Sequence, residues 1–382
     1  MHEDGPSHRD PPPNGRNILP KTPGASIWRT GKRAAPRMSL HDEILEQPEV
    51  ARQFLGRAPA MVEPLAATIR ERAIDHVVIA ARGTSDHAAI YAQYVLGVRH
   101  ALSVGLGTPS VISLYGAHPR LDRSLVVGIS QSGASPDVVA VVQAGRSQGA
   151  PTLAITNEPR SPLGVAAETC IDLGAGPELA VAATKTYTTE LLAIASLSAA
   201  VSGDPADAAA LARIPDAMAE ALELEPAVAS MAADQAGADR LLVLARGYEY
   251  ATAREWALKL KELARVFADP YSAADFEHGP LALLEPGVPV LATVRPGPTA
   301  APLIALLDRL RDDLDAAIAV VSDQPAALAL ARWPFALAPG TPEWLGPIVS
   351  ILIGQLHALH LTRARGLDPE QPRNLSKVTR TR

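Results

Sequence analysis

DHVVIAARG at residues 75–83 and DRLLVLARG at residues 239–247 are two copies of one strand-to-turn segment. Carrying that register forward sets LVVGISQSG (125–133) opposite PVLATVRPG (289–297). Each is a run of aliphatic residues closed by a glycine, the pattern of a buried strand running into a turn. The chain therefore reads as two similar α/β halves. The first copy of the second segment ends in Ser-Gln-Ser-Gly and the other in Val-Arg-Pro-Gly. The first half keeps a hydroxyl-rich loop fit to hold an anion, and the second half has lost it.

The 382 residues are enough for two domains, and 47% hydrophobic residues are enough for real cores. A net charge of −6 argues against a nucleic-acid binder, which carries a basic face, while leaving room for a local basic pocket. Cys170 is the single cysteine, so no intramolecular disulfide and no thiolate metal cluster can form, as suits a reducing, cytoplasmic location. No window shows the run of about 18 apolar residues that a membrane-spanning helix needs, and no apolar signal segment opens the chain. Neither a membrane nor a nucleic acid is expected as a partner.

Residues 1–37 are rich in Pro, Gly, Arg and Asp without apolar periodicity and read as a disordered extension. Either that tail is genuine or translation starts at Met38. A helical pattern covers 44–72, with Pro48 and Pro59 as expected boundaries. Strands are expected at 77–80, 110–114, 125–129 and 152–156. Ser135 at the N-cap, Pro136 at the first helical position, an apolar VVAVV stripe and Gly149 just past the end predict a helix over 135–149. Residues 203–236 are Ala-rich and helical, linking a first domain (38–202) to a second (237–365). There the pattern repeats as strand 241–245, helix 251–267, strand 288–294, helix 301–313 and strand 317–321, followed by a final helix over 344–363. The tail 366–382 has no regular pattern. Strands alternating with helices imply parallel sheets covered on both faces.

Ser130, Gln131, Ser132, Gly133, Ala134 and Ser135 lie between a strand and a helix, where ligands of parallel α/β sheets bind. Three hydroxyls, a permissive glycine and a helix N-terminus suit a phosphate. An ordinary capped turn is the plainer reading, and the density of serines favours the phosphate. The loop is neither a Walker loop nor a dinucleotide fingerprint. Gly83, Thr84 and Ser85 follow the first strand and belong to the same sheet edge, as ligand contacts or as helix caps. Glu255, Lys259 and Glu262 recur at i, i+4 and i+7 on one helical face. A solvated salt-bridge face is the bland reading, yet Trp256, Leu258, Leu260 and Leu263 leave little room for it, and a carboxylate beside a lysine on a buried helix can transfer protons. His278 stands in FEHGPLALL, where a near-neutral imidazole suits sugar-ring opening, although a lone histidine is more often only a surface residue. Lys377 lies in QPRNLSKVTRTR. It is either solvated or brought over a pocket, where an ammonium meets the substrate or forms an imine with an open-chain carbonyl.

Taken in order, GTS, SQSG, ATKTYTTE (183–190), ALKLKE, HGPLALL and QPRNLSK resemble the isomerase portion of glucosamine-6-phosphate synthase, built from two sugar-isomerase (SIS) domains. The resemblance covers roughly residues 39–382. It implies two SIS domains, each a three-layer α/β/α sandwich of flavodoxin-like type. It implies that Ser130, Gln131, Ser132 and Ser135 hold a sugar phosphate, and that Gly83, Thr84, Ser85, Val181 and Ala183 lie near the sugar. Glu262 would move a proton between C2 and C1, Lys259 would support it, and Lys377 would close over the open-chain sugar. In the family the counterpart of His278 reaches a neighbouring subunit's pocket to open the ring, which implies a homodimer.

The departures narrow the reading. The synthases carry an N-terminal glutaminase domain with a nucleophilic cysteine, whereas the 37 residues before Met38 hold none and are too short for such a domain. Arg82 replaces a small residue before Gly-Thr-Ser, Ala183 stands where the synthase has serine, and Ser135 where it has threonine. The chain most resembles the SIS-type glucosamine-6-phosphate deaminases, which turn glucosamine 6-phosphate into fructose 6-phosphate and ammonia without a cofactor or metal. The alternatives are an ammonia-dependent aminotransferase running the reaction backwards, a deaminase or deglycase for another sugar phosphate such as galactosamine 6-phosphate, and a non-catalytic sugar-phosphate sensor.

Overall fold

A computed structural model describes residues 38–377, so the reading of residues 1–37 as disordered lies outside the described residues. The first sheet holds β1 (His76–Ala80), β2 (Ser103–Leu106), β3 (Ser124–Ile129), β4 (Thr152–Thr156) and β5 (Thr169–Asp172), all parallel, in the order β2-β1-β3-β4-β5. The second holds β6 (Arg240–Ala245), β7 (Phe267–Ser272), β8 (Pro289–Val294), β9 (Ala317–Ser322) and β10 (Trp333–Ala336), again all parallel, in the order β7-β6-β8-β9-β10. Numbered within each half, both orders are 2-1-3-4-5, the flavodoxin-like arrangement. The repeat extends to register: Val78 faces Val126 across β1 and β3, and Leu242 faces Val290 across β6 and β8.

The helices repeat as well. Thr84–His100 follows β1 as Tyr250–Lys259 follows β6, and Pro136–Ser147 follows β3 as Ala300–Leu314 follows β8. Helices Pro205–Ala212, Ile214–Leu222 and Glu225–Asp234 join the halves over the stretch expected to be helical. The largest apolar core runs through both halves, from Ile79 and Leu125 to Leu241 and Val243, with helix Gly346–Ala364 packed through it.

Several expectations are corrected. Residues 110–114 are not a strand: Pro109–Ser113 is a short helix with proline at its first position, and the strand is the earlier Ser103–Leu106. Pro59 does not end a helix. Gln47–Glu71 runs through Pro59 and Pro64 because its buried face, Phe54, Ala58, Val62, Leu65 and Ile69, is held by tertiary packing that outweighs the lost backbone bonds. The helix expected over 251–267 stops at Ala264, and Phe267 opens an edge strand instead. One segment, Glu343–Ala364, is after all long and apolar enough to cross a membrane, but 94% of its apolar window is buried inside the protein, so it is this fold's own core helix.

That core helix carries one titratable group with a stability consequence. His357 is fully buried; its Nδ1 accepts from Trp256 Nε1 at 3.1 Å, and its Nε2 has no partner. Burial, with a smaller contribution from His360, pulls its pKa down from 6.5 to about 3. Between those values the unfolded chain binds the proton and the folded chain does not, so the stabilisation present above pH 6.5 is lost as pH falls towards 3. His357→Gln should therefore flatten the loss of stability over this window, as read by denaturant midpoints across pH; an unchanged slope would assign the loss to other groups.

Candidate active site

The loop after β3 is shaped by one glycine. Gly133 has φ +59°, and a Cβ there would lie 1.9 Å from Ser161 Oγ, so no other residue fits. The carbonyl of Gln131 accepts from Thr156 Oγ1 at 3.2 Å and from the Asn157 N–H at 3.1 Å, which pins the loop to the end of β4. Ser130 Oγ accepts from the Gly133 N–H at 3.2 Å and Ser132 Oγ from the Ala134 N–H at 3.3 Å. Both oxygens act as acceptors there, so their O–H groups remain donors. Ser135 is the N-cap of helix Pro136–Ser147 but makes no side-chain capping bond. Three hydroxyls thus surround the positive end of a helix dipole. Arg82 adds a guanidinium at the rim, with Nη2 at 2.8 Å from the buried Asp137 carboxylate in the first turn of that helix.

The facing wall comes from the second half. Helix Tyr250–Lys259 passes into a π-helical turn, Leu260–Ala264, which ends on Arg265 in the left-handed region. Such turns are frequent at functional sites because they re-aim side chains. Lys259 Nζ lies 2.6 Å from Glu262 Oε2, 3.3 Å from Glu255 Oε1 and 3.2 Å from Thr84 Oγ1. Glu255 is fully buried, and it also accepts from Thr84 Oγ1 at 3.1 Å and meets His87 Nδ1 at 2.7 Å. Burial alone lowers the pKa of Lys259, but the two carboxylates outweigh it and hold the ammonium above the ordinary lysine value. Glu262 is the more exposed partner of Lys259, with 23% of its side chain open. The result is a fixed cation on a buried support, holding a carboxylate at the cavity surface.

One further carboxyl, Glu190, lines the wall, and another, Glu178, anchors it from outside the lining. Glu190 Oε1 accepts from Ser85 Oγ at 2.8 Å, while Oε2 has no partner. Burial pushes the Glu190 pKa well above the usual range, partly countered by the Ser85 hydrogen bond. Glu178 accepts from the N–H groups of Thr184 and Thr186 at 2.9 and 3.1 Å, and its other oxygen takes Lys377 Nζ at 2.6 Å. Burial alone would raise its pKa; the Lys377 charge and these hydrogen bonds lower it on balance. That pair draws the tail across the cavity mouth, where Leu375, Ser376 and Lys377 form part of the wall.

The resulting cavity encloses about 400 Å³. It brings together Gly83, Thr84, Ser85, Ser130, Gln131, Ser132, Ser135, Val181, Ala183, Lys259, Glu262 and Lys377, residues drawn from five distant stretches of sequence. His278 is not among them; it is exposed, just past the short helix Ala273–Glu277. Sequence reasoning missed Glu190 and Thr186 as wall residues. The available signal was a lone carboxyl in helix Lys185–Ser202, just before its apolar LLAIA run. A second cavity of about 300 Å³, near Leu55, Val62 and Leu211, is mainly apolar and holds no comparable set. Among the described residues, no group of three or more His, Cys, Asp or Glu is arranged to hold a metal ion.

The SIS domain pattern matches this chain twice, over residues 72–200 and 236–361. Glutamine–fructose-6-phosphate aminotransferase (isomerizing) of Methanothermobacter thermautotrophicus is 35% identical over 341 residues, covering 88% of this chain and 56% of the relative. The chain thus spans little more than half the length of the curated relatives it matches. A Silicibacter pomeroyi protein, provisionally named a phosphosugar isomerase, superposes with a TM-score of 0.79 at 33% identity, over 86% of this chain and 99% of that one. The C-terminal domain of glucosamine-fructose-6-phosphate aminotransferase from Francisella tularensis superposes equally well, at 26% identity over 87% and 98% of the two chains. Two matched domains, one repeated topology and this depth of similarity agree: the chain belongs to the SIS family, as a double-SIS protein related to the isomerase portion of the isomerizing glutamine–fructose-6-phosphate aminotransferases.

Proposed function

We propose that this chain is an amino-sugar-phosphate isomerising deaminase that converts glucosamine 6-phosphate to fructose 6-phosphate and ammonia. The observation that carries the reading is the Lys259–Glu262 pair, 2.6 Å apart, on a cavity wall shared with the serine loop. The loop takes the phosphate and sets the open-chain sugar along the cavity. The Glu262 carboxylate takes the C2 proton and returns it to C1, leaving the 2-imine of fructose 6-phosphate. Water then adds to that imine at C2 and ammonia leaves. Lys259 positions Glu262 and supplies fixed positive charge where negative charge develops. Lys377 closes the open-chain sugar in. The amino group finds support in Glu190, whose unpartnered oxygen and lack of a cation suit an ammonium better than a keto oxygen.

Purified protein given glucosamine 6-phosphate without glutamine should release ammonia and fructose 6-phosphate in equal amounts. Glu262→Gln should lower this turnover by roughly 10²- to 10⁴-fold while leaving sugar-phosphate affinity nearly unchanged. A wild-type rate in that variant would remove Glu262 from the proton transfer. Fructose 6-phosphate consumption with added ammonia, without the forward release, would reverse the direction to the aminotransferase reading. Turnover confined to galactosamine 6-phosphate would change the epimer.

Glu190→Gln should raise KM for glucosamine 6-phosphate by roughly tenfold, about 1.4 kcal/mol, and leave fructose 6-phosphate binding nearly untouched. Equal losses for both sugars would make Glu190 a structural residue.

For His278 we propose delivery to a partner's cavity in a homodimer. Its exposure, and the exposed Leu283 in the turn just after it, suit a subunit contact. Mixing inactive His278→Ala and Glu262→Gln chains should then restore about a quarter of wild-type turnover, because each mixed dimer rebuilds one complete site. No recovery on mixing would place the histidine in its own chain's site or outside catalysis.

A further inference from the structure

The duplication allows the second half to be read position by position against the first. At the offset that pairs Gly83 with Gly247, Gly133 pairs with Gly297, Gln131 with Arg295 and Ser135 with Thr299. Val294 and Pro296 replace Ser130 and Ser132, so two of the loop's hydroxyls are gone. In the first half the corresponding loops face the cavity. In the second half a side chain lies against them. Glu343, in the short turn Glu343–Leu345 before the last helix, has Oε1 at 3.3 Å from Thr299 Oγ1. A Cβ on Gly297 would lie 2.1 Å from Glu343 Oε2, and a Cβ on Gly247 would lie 3.9 Å from Oε1. The carboxylate therefore rests against both glycine loops at once, at the carboxyl ends of β6 and β8.

The cation expected of an anion site is also present. Arg295 is 2% exposed; its Nη2 lies 3.2 Å from the Thr341 carbonyl and 3.5 Å from Asp323, while Nε and Nη1 have no partner. Its charge acts on Glu343 without a direct ion pair, partly offsetting the burial that raises the Glu343 pKa.

We infer that the second half retains an anion site of its own, and that Glu343 fills it as a tethered stand-in for an oxyanion of the phosphate class. The inference rests on reading the first loop as a phosphate cradle, but its test does not. The retained parts are the helix Ala300–Leu314 with Thr299 at its start, the close-approach glycine and the half-satisfied arginine. Removing the carboxylate vacates the position beside Thr299 and the Gly297 turn for a free anion, with the Arg295 charge, shared with Asp323 and Glu249, nearby.

The test is equilibrium dialysis of the full chain with inorganic phosphate, in the wild-type background and in one where Ser132→Ala and Ser135→Ala disable the first cradle. Glu343→Ala should add one bound phosphate per chain in both backgrounds. If the first loop does not bind phosphate, wild type binds none and Glu343→Ala still gains one, so the two readings fail separately. Should the alanine variant be destabilised, phosphate should raise its melting temperature well beyond any shift in the parent. Unchanged stoichiometry in a cooperatively folded variant, or destabilisation without a phosphate response, would overturn the inference.

Discussion

One buried carboxylate organises the molecule. Glu255 belongs to the second half, yet its bonds to Thr84 and His87 reach into helix Thr84–His100 of the first half. The same oxygen that meets Thr84 holds Lys259. A charge removed from water in this way is tolerated only while every partner stays in place, and losing one partner of such a cluster is far more costly than losing a surface pair. The two SIS halves therefore meet at a fixed angle around a polar post. The serine loop of one half and the Lys259–Glu262 face of the other are presented to a common space.

How much of this the amino-acid sequence discloses depends on burial. The inner strands β1, β3, β4, β6, β8 and β9 are covered on both faces, so they stand out as continuous aliphatic runs. The edge strands are partly open: β2 alternates exposed and half-exposed positions, and β7 and β10 carry Pro270 and Pro334, which belong in edges rather than centres. The serine loop is legible because its chemistry is contiguous. Glu190 is not, because its meaning comes from Ser85, 105 residues away, and from burial that no local pattern encodes. His278 is exposed and lies outside its own chain's cavity, so its place in the sequence pattern has no counterpart in the site geometry.

The halves also differ in how each meets negative charge. In the first, the loop after β3 keeps its hydroxyls and opens onto a cavity. In the second, the equivalent loop after β8 has an arginine, a proline and a glutamate packed against it. Identical strand order and register persist around both loops, so the divergence is confined to the segments that leave the sheet. A scaffold that preserves its strands and edits its loops can alter what it binds without rebuilding its core.

The core that runs unbroken from one sheet to the other has a mechanical consequence. Many two-lobed enzymes grip their substrates by swinging one lobe about a hinge. Here such a swing would tear apolar side chains out of contact along a shared seam threaded by Gly346–Ala364. Access to the cavity falls instead to the thin strap that carries Lys377, whose ammonium latches onto Glu178. The frame stays rigid, and any opening of the cavity is left to a single run of chain.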